Sequence, residues 1–307
     1  MSLIVKNIVK TYEKGKVLAL DNVSFEVKQG ERFGIIGPDG AGKTSLFRIL
    51  TTLLLADSGE ASVCGNDVVA DFDKIRRISG YMPGKFSLYQ DLSVEENLNF
   101  FATVFGTTVA ENKHLIQDIY VQIEPFKDRP AGKLSGGMKQ KLALCCALIH
   151  EPKILFLDEP TTGVDPVSRK EFWDMLDRLK NRNITILVST PYMDEASRCD
   201  RIALMQTGKI LAIDTLDNIT GSYKNKVFGV ETKHMHQLSQ FFKTHDAVHS
   251  CYPFGDTLHV TPKDALLKAT ELEASCKLEG FHDVVIYDLT PNIEDIFMNL
   301  MGQNNGK

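Results

Sequence analysis

The sequence predicts an α/β protein with a parallel sheet, followed by a small α+β domain. A glycine-rich loop, Gly37–Thr44 (GPDGAGKT), lies between an apolar strand-like run and a segment with apolar residues at three- and four-residue steps. A second apolar run, Ile154–Leu157, ends in two carboxylates, as a strand buried on both faces of a parallel sheet would. From about Gly221, short strands and helices replace this pattern. We therefore expect one domain over residues 1–220 and a second over residues 221–307.

The composition is that of an ordinary globular chain. Of its 307 residues, 43% are hydrophobic and 24% are charged. The formal net charge is −5 with no basic stripe, which argues against nucleic acid as a partner. The longest uncharged apolar run, Leu142–Ile149, is too short to span a membrane, and the N-terminus does not resemble a signal peptide. The six cysteines include no CxxC pair, so we expect a reducing, cytoplasmic setting.

The elements follow in an order that the local patterns indicate. Leu3–Glu31 alternates apolar and polar residues, which predicts a small antiparallel sheet. Phe33–Ile36 predicts a buried strand, and an amphipathic helix follows the glycine-rich loop. The region of about 71–134 is rich in helix formers and should form a helical subdomain. Past the strand at Ile154, Asp165-Pro166 is typical of a helix N-cap and first helical residue.

The second domain has its own alternation of elements. Val227–Glu231 and Leu258–Val260 predict strands, and Cys251–Thr257 could hold a hairpin turn. A helix is expected over Asp264–Leu278, and one more helix should end the chain. His234 and His236 are close enough to bind a metal together, but an exposed polar loop is the commoner explanation of such a run.

The glycine-rich loop has the composition of a phosphate cradle. Glycines let the backbone turn tightly and approach an anion, so that consecutive N–H groups and the following helix dipole can face it. Lys43 can reach the β- and γ-phosphates of a nucleotide, and the Thr44 hydroxyl can hold Mg²⁺.

Two further clusters carry chemistry. Asp158 and Glu159 follow a predicted parallel strand, at the edge where α/β sheets bind ligands. Asp158 would hold Mg²⁺ and Glu159 would polarise an attacking water as general base, although an acidic pair after a strand can also be a simple cap. Ser135-Gly136-Gly137 opens a predicted helix and offers an anion-binding N-terminus, or only a helix cap.

Five motifs in this order resemble the nucleotide-binding subunit of an ATP-binding cassette (ABC) transporter. The glycine-rich loop resembles the Walker A loop, Ile154–Pro160 the Walker B strand, and Leu134–Gln140 (LSGGMKQ) the family signature. Thr161–Pro166 resembles the D-loop, and Tyr12 matches the aromatic residue that stacks on adenine. The similarity runs from about Leu3 to Thr215, and the tail resembles that of exporter-type cassettes.

The resemblance implies a fold, a function and a set of site residues. It implies a mixed-sheet P-loop NTPase cassette with antiparallel and helical subdomains, which binds ATP and Mg²⁺ and hydrolyses ATP. The implied catalytic base is Glu159, and Thr44 and Asp158 are the implied metal ligands. The implied nucleotide-binding residues are Tyr12, Gly37, Pro38, Asp39, Gly40, Ala41, Gly42, Lys43, Thr44, Ser45, Ser135, Gly136 and Gly137.

The resemblance also implies partners. Two cassettes pair head to tail, so the signature of one serves the nucleotide of the other. Separate transmembrane subunits carry the substrate path, with the surface near Phe86–Leu98 as the docking region; Phe86, Leu88 and Tyr89 are either docking anchors or ordinary core. The implied location is the cytoplasmic face of a bacterial inner membrane, reached only through those partners.

Three positions depart from the family pattern. Gly84 stands where the family has a glutamine that contacts the metal and the water, and the nearest downstream glutamine is Gln90. Pro191 stands where the family has a histidine that contacts the γ-phosphate, and no histidine occurs from Glu151 to Lys233. Asp39 replaces a common asparagine, and it either weakens ATP binding by its charge or faces solvent.

Three functional hypotheses remain open. The chain is an energy-coupling ATPase subunit of an exporter, with hydrolysis weakened by Gly84 and Pro191. Alternatively, it is a catalytically degenerate ATP-binding partner whose signature completes the active site of another cassette. A soluble cassette ATPase acting on ribosomes or DNA fits less well, since the chain has one cassette, no heptad run and a net acidic charge.

Overall fold

A computed structural model of the protein describes residues 1–180 and 182–305. Within this part of the chain, the strands are β1 Leu3–Tyr12, β2 Val17–Val27, β3 Arg32–Ile36, β4 Ser58–Val63, β5 Asn66–Asp67, β6 Ser79–Met82, β7 Ile154–Asp158, β8 Thr185–Thr190, β9 Arg201–Gln206, β10 Lys209–Asp214, β11 Val227–Glu231, β12 Val248–Phe254, β13 Thr257–Pro262 and β14 Val285–Leu289. The α-helices are α1 Lys43–Leu50, α2 Phe72–Ile78, α3 Val94–Val104, α4 Val109–Tyr120, α5 Gly136–Leu148, α6 Pro166–Lys180, α7 Leu216–Ser222, α8 Met235–Thr244, α9 Ala269–Leu278 and α10 Ile293–Asn305. The chain divides into two compact units, and the second begins at Asp217, four residues before the boundary expected from the sequence.

The centre of the first unit is a six-stranded sheet in the order β10-β9-β3-β8-β7-β6. All neighbouring strands are parallel except β9 and β10. Because β3, β8 and β7 are adjacent and parallel, their carboxyl ends meet at one edge of the sheet. The predicted phosphate loop and the predicted carboxylates therefore converge at that edge.

The strands of this sheet are buried on both faces because apolar side chains occupy consecutive positions. Phe156 of β7 faces α1, where its ring meets Phe47 edge-on at a centroid distance of 6.3 Å. Leu155 and Leu157 face the opposite way and belong to the hydrophobic cluster of α5 and α6. This arrangement explains the uninterrupted apolar run seen in the sequence.

A second, antiparallel sheet in the order β2-β1-β4-β5 completes the core around α1. Alternate residues such as Val23, Phe25 and Val27 point into the cluster that contains α1. The antiparallel subdomain predicted from the alternation in Leu3–Glu31 is therefore confirmed.

The region 71–134, expected to be helical, is more mixed than its composition indicates. It contains β6, which pairs with β7 in the six-stranded sheet, so this part of the region belongs to the main core. The helices α3 and α4 follow. Each begins with a capping box, formed by Ser93 with Glu96 and by Thr108 with Glu111.

The second unit has the element order β11-α8-β12-β13-α9-β14 and an antiparallel sheet in the order β12-β13-β11-β14. This is the β-α-β-β-α-β arrangement of ferredoxin-like domains, with α10 added. The predicted hairpin is present, but its turn is confined to Gly255-Asp256 because Cys251 already lies in β12. The helix expected from Asp264 begins only at Ala269, after a turn that the Asp264 carboxylate stabilises.

Neither unit contains, in the residues described, a helix with the length and apolar character needed to cross a bilayer.

Candidate functional site

The glycine-rich loop passes from β3 into α1 in a conformation that only glycine tolerates at key points. Gly42 caps α1 with φ of 105°, and a Cβ there would lie 2.4 Å from the carbonyl oxygen of Ala19. A Cβ at Gly37 would lie 2.1 Å from the carbonyl oxygen of Met205. The loop backbone is therefore held close to neighbouring strands, an approach that glycine at these positions permits.

Lys43, the first residue of α1, is only 3% exposed. Its Nζ donates to the carbonyl oxygens of Gly37 at 2.7 Å and Pro38 at 2.9 Å, and forms an ion pair with Glu159 Oε1 at 3.0 Å. All three N–H bonds of the ammonium group thus have protein partners. The lysine lies across the mouth of the loop, where a bound phosphate would compete for it.

The two predicted metal ligands lie together. Asp158 is 1% exposed, and its carboxylate accepts hydrogen bonds from Ser189 Oγ at 2.6 Å and from the Thr44 hydroxyl. Burial raises the pKa of Asp158 above its ordinary value, while these two hydrogen bonds act in the opposite direction. Oxygen donors of this kind suit Mg²⁺, which usually takes only one or two protein ligands and completes its shell with phosphate oxygens and water. The residues described contain no cluster of three or more His, Cys, Asp or Glu side chains that could hold a metal alone.

Glu159 lies next to the lysine and adopts a left-handed backbone, with φ of 51°. Its N–H donates to both the carbonyl and the hydroxyl oxygen of Ser189 at 3.0 Å, which fixes this strained conformation. Ser189 therefore positions both carboxylates, a role that sequence reasoning missed. The parallel pairing of Asp158 with Ser189 in β7 and β8 is the signal that could have revealed it.

Tyr12 lies near the start of α1, as its expected role requires. Its hydroxyl is 3.1 Å from Ser45 Oγ. Val17 pairs with Tyr12 across β1 and β2, and Val17 and Leu18 are each 47% exposed. Val17 thus extends the apolar surface beside Tyr12, whereas Leu18 pairs with Thr11 on the opposite face of the sheet, and sequence reasoning singled out neither.

The remaining loop residues differ in exposure. Ala41 is buried, Pro38 is half-buried, and Asp39 and Gly40 are exposed. Of the two alternatives for Asp39, the exposed position favours the one in which its charge faces solvent.

The signature residues lie at a different place from the glycine-rich loop. Ser135 caps α5, with its Oγ accepting from Met138 N at 3.4 Å, and Ser135 and Gly136 are exposed. Gly137 is buried where a Cβ would lie 2.5 Å from Ser168 Oγ at the start of α6. Among the described residues no hydrogen bond or ion pair joins positions 135–137 to the loop. One chain thus brings the Walker-type residues together but leaves the signature facing outward.

Position 84 adjoins the carboxylates but contributes no side chain. A Cβ on Gly84 would lie 3.1 Å from the carbonyl oxygen of Asp158 and 3.8 Å from Glu159 Cβ. Gln90 cannot supply the missing amide, because its carbonyl accepts from Gly132 N at 2.8 Å and its side chain lies against Gly132.

Pro191 directly follows β8, and the carbonyl of Thr190 accepts from Gly37 N at 3.2 Å. The turn is therefore beside the glycine-rich loop, where the family histidine would be. Proline has neither a side-chain donor nor an N–H group. The N–H of Tyr192 donates to Thr190 Oγ1 at 3.1 Å and is also engaged. Among the described residues, position 191 thus offers no donor, and the backbone N–H of position 192 is already engaged.

A cavity of 430 Å³ lies between the sheet and the helical part of the first unit. Its lining is mostly apolar and includes Tyr81, Met82, Phe86, Phe101, Ala147 and His150. Leu88 is buried in the core, whereas Tyr89 is 49% exposed and packs edge-on against Phe100 at 4.7 Å. Of the three residues considered for docking, Tyr89 is thus the exposed one and Leu88 belongs to the core.

Comparison with known proteins gives consistent similarities. The family model for ABC transporters matches residues 20–162. Over 222 residues the chain is 42% identical to the probable multidrug ABC transporter ATP-binding protein YbhF of Escherichia coli, a match that covers 72% of this chain but only 38% of YbhF. It is 38% identical to the doxorubicin resistance ATP-binding protein DrrA of Mycobacterium tuberculosis, over 71% of this chain and 67% of DrrA. It is 32% identical to the Nod factor export ATP-binding protein I of Burkholderia orbicola, over 97% of this chain and 96% of that protein.

Solved structures agree with these relatives. An ATP-binding subunit of an ABC transporter superimposes with a TM-score of 0.65 at 29% identity, over 72% of this chain and 92% of that one. A dimeric ATP-binding cassette in a post-hydrolysis state, bound to ADP and Pi, superimposes with a TM-score of 0.63 at 26% identity. This match covers 70% of this chain and 98% of that one. The predicted cassette fold is confirmed. The chain belongs to the family of ABC transporter ATP-binding proteins.

Proposed function

We propose that this chain binds Mg·ATP at the glycine-rich loop and couples it to export through separate membrane subunits. The observation that carries the proposal is the convergence of Lys43, Thr44, Asp158 and Glu159 at one edge of the sheet. These are the residue types that phosphate binding, metal binding and water activation each require.

The geometry supports a defined role for each residue. On nucleotide entry, the Lys43 ammonium exchanges two carbonyls and Glu159 for the β- and γ-phosphate oxygens. Thr44 and Asp158 would hold Mg²⁺, which neutralises charge on the phosphates when bound. Glu159, released from the lysine, orients the attacking water and accepts its proton. Tyr12, with Val17 beside it, provides the surface on which adenine stacks.

The signature is proposed to act on a partner cassette. Ser135 and Gly136 are exposed at the start of a 13-residue helix, which suits contact with phosphate groups on another chain. A similar cassette in the post-hydrolysis state is dimeric. We propose a head-to-tail dimer with the same or a different cassette.

Hydrolysis at the chain's own loop is proposed to be slow. Gly84 adjoins Asp158 without a side chain, and Pro191 has neither a side-chain donor nor an N–H group. Losing one phosphate donor costs about 10²–10³ in rate, and losing a group that assists proton transfer costs about 10²–10⁴. These effects are not additive when the residues act as a unit.

Docking to the membrane subunits is proposed at the cavity beside Phe86 and the exposed rings of Tyr89 and Phe100. An apolar groove rimmed by aromatic side chains suits an amphipathic helix. The chain would then lie at the cytoplasmic face of the membrane through its partners. Relatives named for a multidrug transporter, doxorubicin resistance and Nod factor export favour the outward direction of transport.

The second candidate is a degenerate partner subunit that binds ATP without productive turnover. It is favoured by the contrast between the incomplete surroundings of Glu159 and the complete, exposed signature. In that case the signature would complete the active site of an intact cassette.

Mg·ATP turnover of the full chain beside its Glu159→Gln variant, with ATP binding measured in parallel, separates the candidates. Turnover that disappears in the variant supports the working ATPase. Binding without glutamate-dependent turnover supports the degenerate partner. Absence of Mg·ATP binding, alone and with a second cassette, would overturn both.

A gain-of-function variant tests the cause of slow turnover. Pro191→His should raise kcat about tenfold or more, because it returns a donor to the turn beside the glycine-rich loop. Adding Glu159→Gln to this variant should abolish the gain. An unchanged kcat in a correctly folded Pro191→His protein would contradict the assigned role of this position.

A further inference from the structure

Glu195 is a carboxylate that no catalytic role assigned above involves. It lies in the short 3₁₀ helix Met193–Arg198 after β8 and is only 3% exposed. Burying a carboxylate is costly unless donors use its lone pairs. The groups that donate to Glu195 therefore indicate its structural role.

Two buried threonines from different segments donate to this carboxylate. Thr161 Oγ1 donates to Oε1 at 2.8 Å, and Thr190 Oγ1 donates to Oε2 at 2.5 Å. Both threonines are at most 1% exposed. The two oxygens of Glu195 thus join two segments that are 29 residues apart in the sequence.

Arg169 of α6 balances the charge. Its Nε and Nη2 lie 3.2 and 3.1 Å from Glu195 Oε1. Its guanidinium carbon lies 4.1 Å from the centre of the Tyr192 ring. The arginine therefore holds the carboxylate on one side and the turn after β8 on the other.

The joined segments lead to two ends of the proposed catalytic site. Thr161 begins the segment Thr161–Pro166, which lies beside the signature proposed to contact the partner cassette, since a Cβ on Gly136 would be 3.6 Å from the carbonyl oxygen of Gly163. Thr190 immediately precedes Pro191, and its carbonyl accepts the N–H of Gly37 in the glycine-rich loop. Glu195 lies between the two.

We infer that Glu195 is a positioning residue that ties the segment Thr161–Pro166 to the turn at Pro191. Through this tie, a partner cassette that contacts the first segment restrains the turn at Pro191, which lies beside the glycine-rich loop. The inference rests on the proposed function for its catalytic meaning. The tie itself is a property of this chain alone and can be tested without turnover.

Amide hydrogen exchange in the full chain provides that test. Two reporters exist: Val164 N–H, bonded to the carbonyl of Thr161, and Tyr192 N–H, bonded to Thr190 Oγ1. Thr161→Val keeps the side-chain shape but removes the donor. It should accelerate exchange at Tyr192, in the other segment, about tenfold. Glu195→Gln should accelerate exchange at both reporters.

Matched controls separate this effect from general loosening. Thr161→Ser keeps a hydroxyl and should retain wild-type exchange at Tyr192. Asp194→Asn removes a neighbouring, 74% exposed carboxylate that also pairs with Arg169, and should leave both reporters unchanged. Exchange at Tyr192 that is unaffected by Thr161→Val, or equally accelerated by Asp194→Asn, would overturn the inference.

A separate comparison of kcat with KM and Mg·ATP binding completes the test. In a complex that hydrolyses ATP, Glu195→Gln should lower kcat about tenfold while KM and Mg·ATP binding stay within about twofold of wild type. A parallel loss of binding and kcat would contradict a positioning role. Wild-type protein that fails to bind Mg·ATP would refute the proposed function, whereas the exchange result would still decide whether the tie exists.

Discussion

Two glycines of the loop satisfy different physical requirements. Gly42 and Gly40 both have positive φ, of 105° and 78°. A left-handed backbone costs an ordinary residue about 1–2 kcal/mol at either position. Only Gly42 adds a steric conflict, because a Cβ there meets the carbonyl oxygen of Ala19 at 2.4 Å, whereas a Cβ at Gly40 has open space.

We predict that Gly42→Ala abolishes Mg·ATP binding and that Gly40→Ala does not. The first substitution must displace the loop backbone, whereas the second only strains it. Urea unfolding should show a loss of about 1 kcal/mol for Gly40→Ala and a larger loss for Gly42→Ala. Equal losses of Mg·ATP binding in the two variants would show that backbone strain alone, and not the contact with the Ala19 carbonyl, causes the loss.

His150 is a second residue whose environment has a measurable consequence. Its ring stacks on Phe105 at 3.7 Å, its Nε2 lies 3.1 Å from the carbonyl oxygen of Ser79, and burial lowers its pKa to about 4. The folded protein thus binds fewer protons here than the unfolded chain, whose histidine has a pKa near 6.5. Stability from this site is therefore present above about pH 6.5 and is lost as the pH falls toward 4.

We predict that His150→Phe flattens this pH dependence. The variant keeps a ring against Phe105 but cannot take up a proton. Between about pH 6.5 and 4, the wild type should lose up to about 3 kcal/mol more unfolding free energy than the variant. His114→Gln, at an exposed position of α4, is the control and should retain the wild-type profile. A profile of His150→Phe as steep as that of the wild type would contradict the prediction.

At the scale of elements, the start of α3 is fixed by one buried side chain. Asn97 is 0% exposed. Its Oδ1 accepts from Tyr89 N at 3.0 Å, and its Nδ2 lies within 3.1 Å of the carbonyl oxygens of Tyr89, Leu92 and Ser93. The loop before α3 therefore depends on this amide, and so does the position of Tyr89 at the proposed docking surface.

We predict that Asn97→Leu lowers the free energy of unfolding by about 3 kcal/mol, because several buried backbone groups lose their partner. Asn99→Ala, at an exposed position of the same helix, should change it by less than about 0.5 kcal/mol. Denaturant unfolding of both variants checks this. If Asn97→Leu changed the free energy of unfolding only slightly, water molecules would have to take over the hydrogen bonds of the Asn97 amide.

The elements also show where sequence reasoning succeeds. The glycine-rich loop and the Asp165 cap of α6 were predictable because their causes are local: positive φ, a helix N-terminus and a capping carboxylate. The roles of Ser189 and Glu195 were not, since they depend on which strands pair and which segments meet in space. The strand β6 lies in a region whose composition favours helices, and its pairing with β7 is what places it in the main sheet.

At the scale of the whole molecule, the two units have separate hydrophobic cores. The clusters of the first unit end with residues of β9 and β10, and the cluster of the second begins at Phe228. In the second unit, α10 adds a buried pair between Asp295 and His259 Nδ1 at 2.7 Å. Each unit thus has the internal contacts expected of an independent domain.

We predict that a chain ending at Leu216 folds and binds Mg·ATP with a Kd within about twofold of the full protein, because the residues at the proposed nucleotide site belong to the first unit. Titration with a fluorescent ATP analogue checks the affinity, and circular dichroism checks the fold. A Kd weakened about tenfold or more in the folded fragment would assign the second unit a part in nucleotide binding.

The contact between Lys43 and Glu159 makes nucleotide entry an exchange of partners. The ammonium group of Lys43 lies 3.0 Å from the carboxylate of the proposed general base, so the two side chains form an ion pair. A triphosphate that displaces Glu159 from the lysine would release this carboxylate when the nucleotide binds. In the proposed mechanism, the lysine that binds the phosphates would thus also control when the carboxylate becomes available to the attacking water.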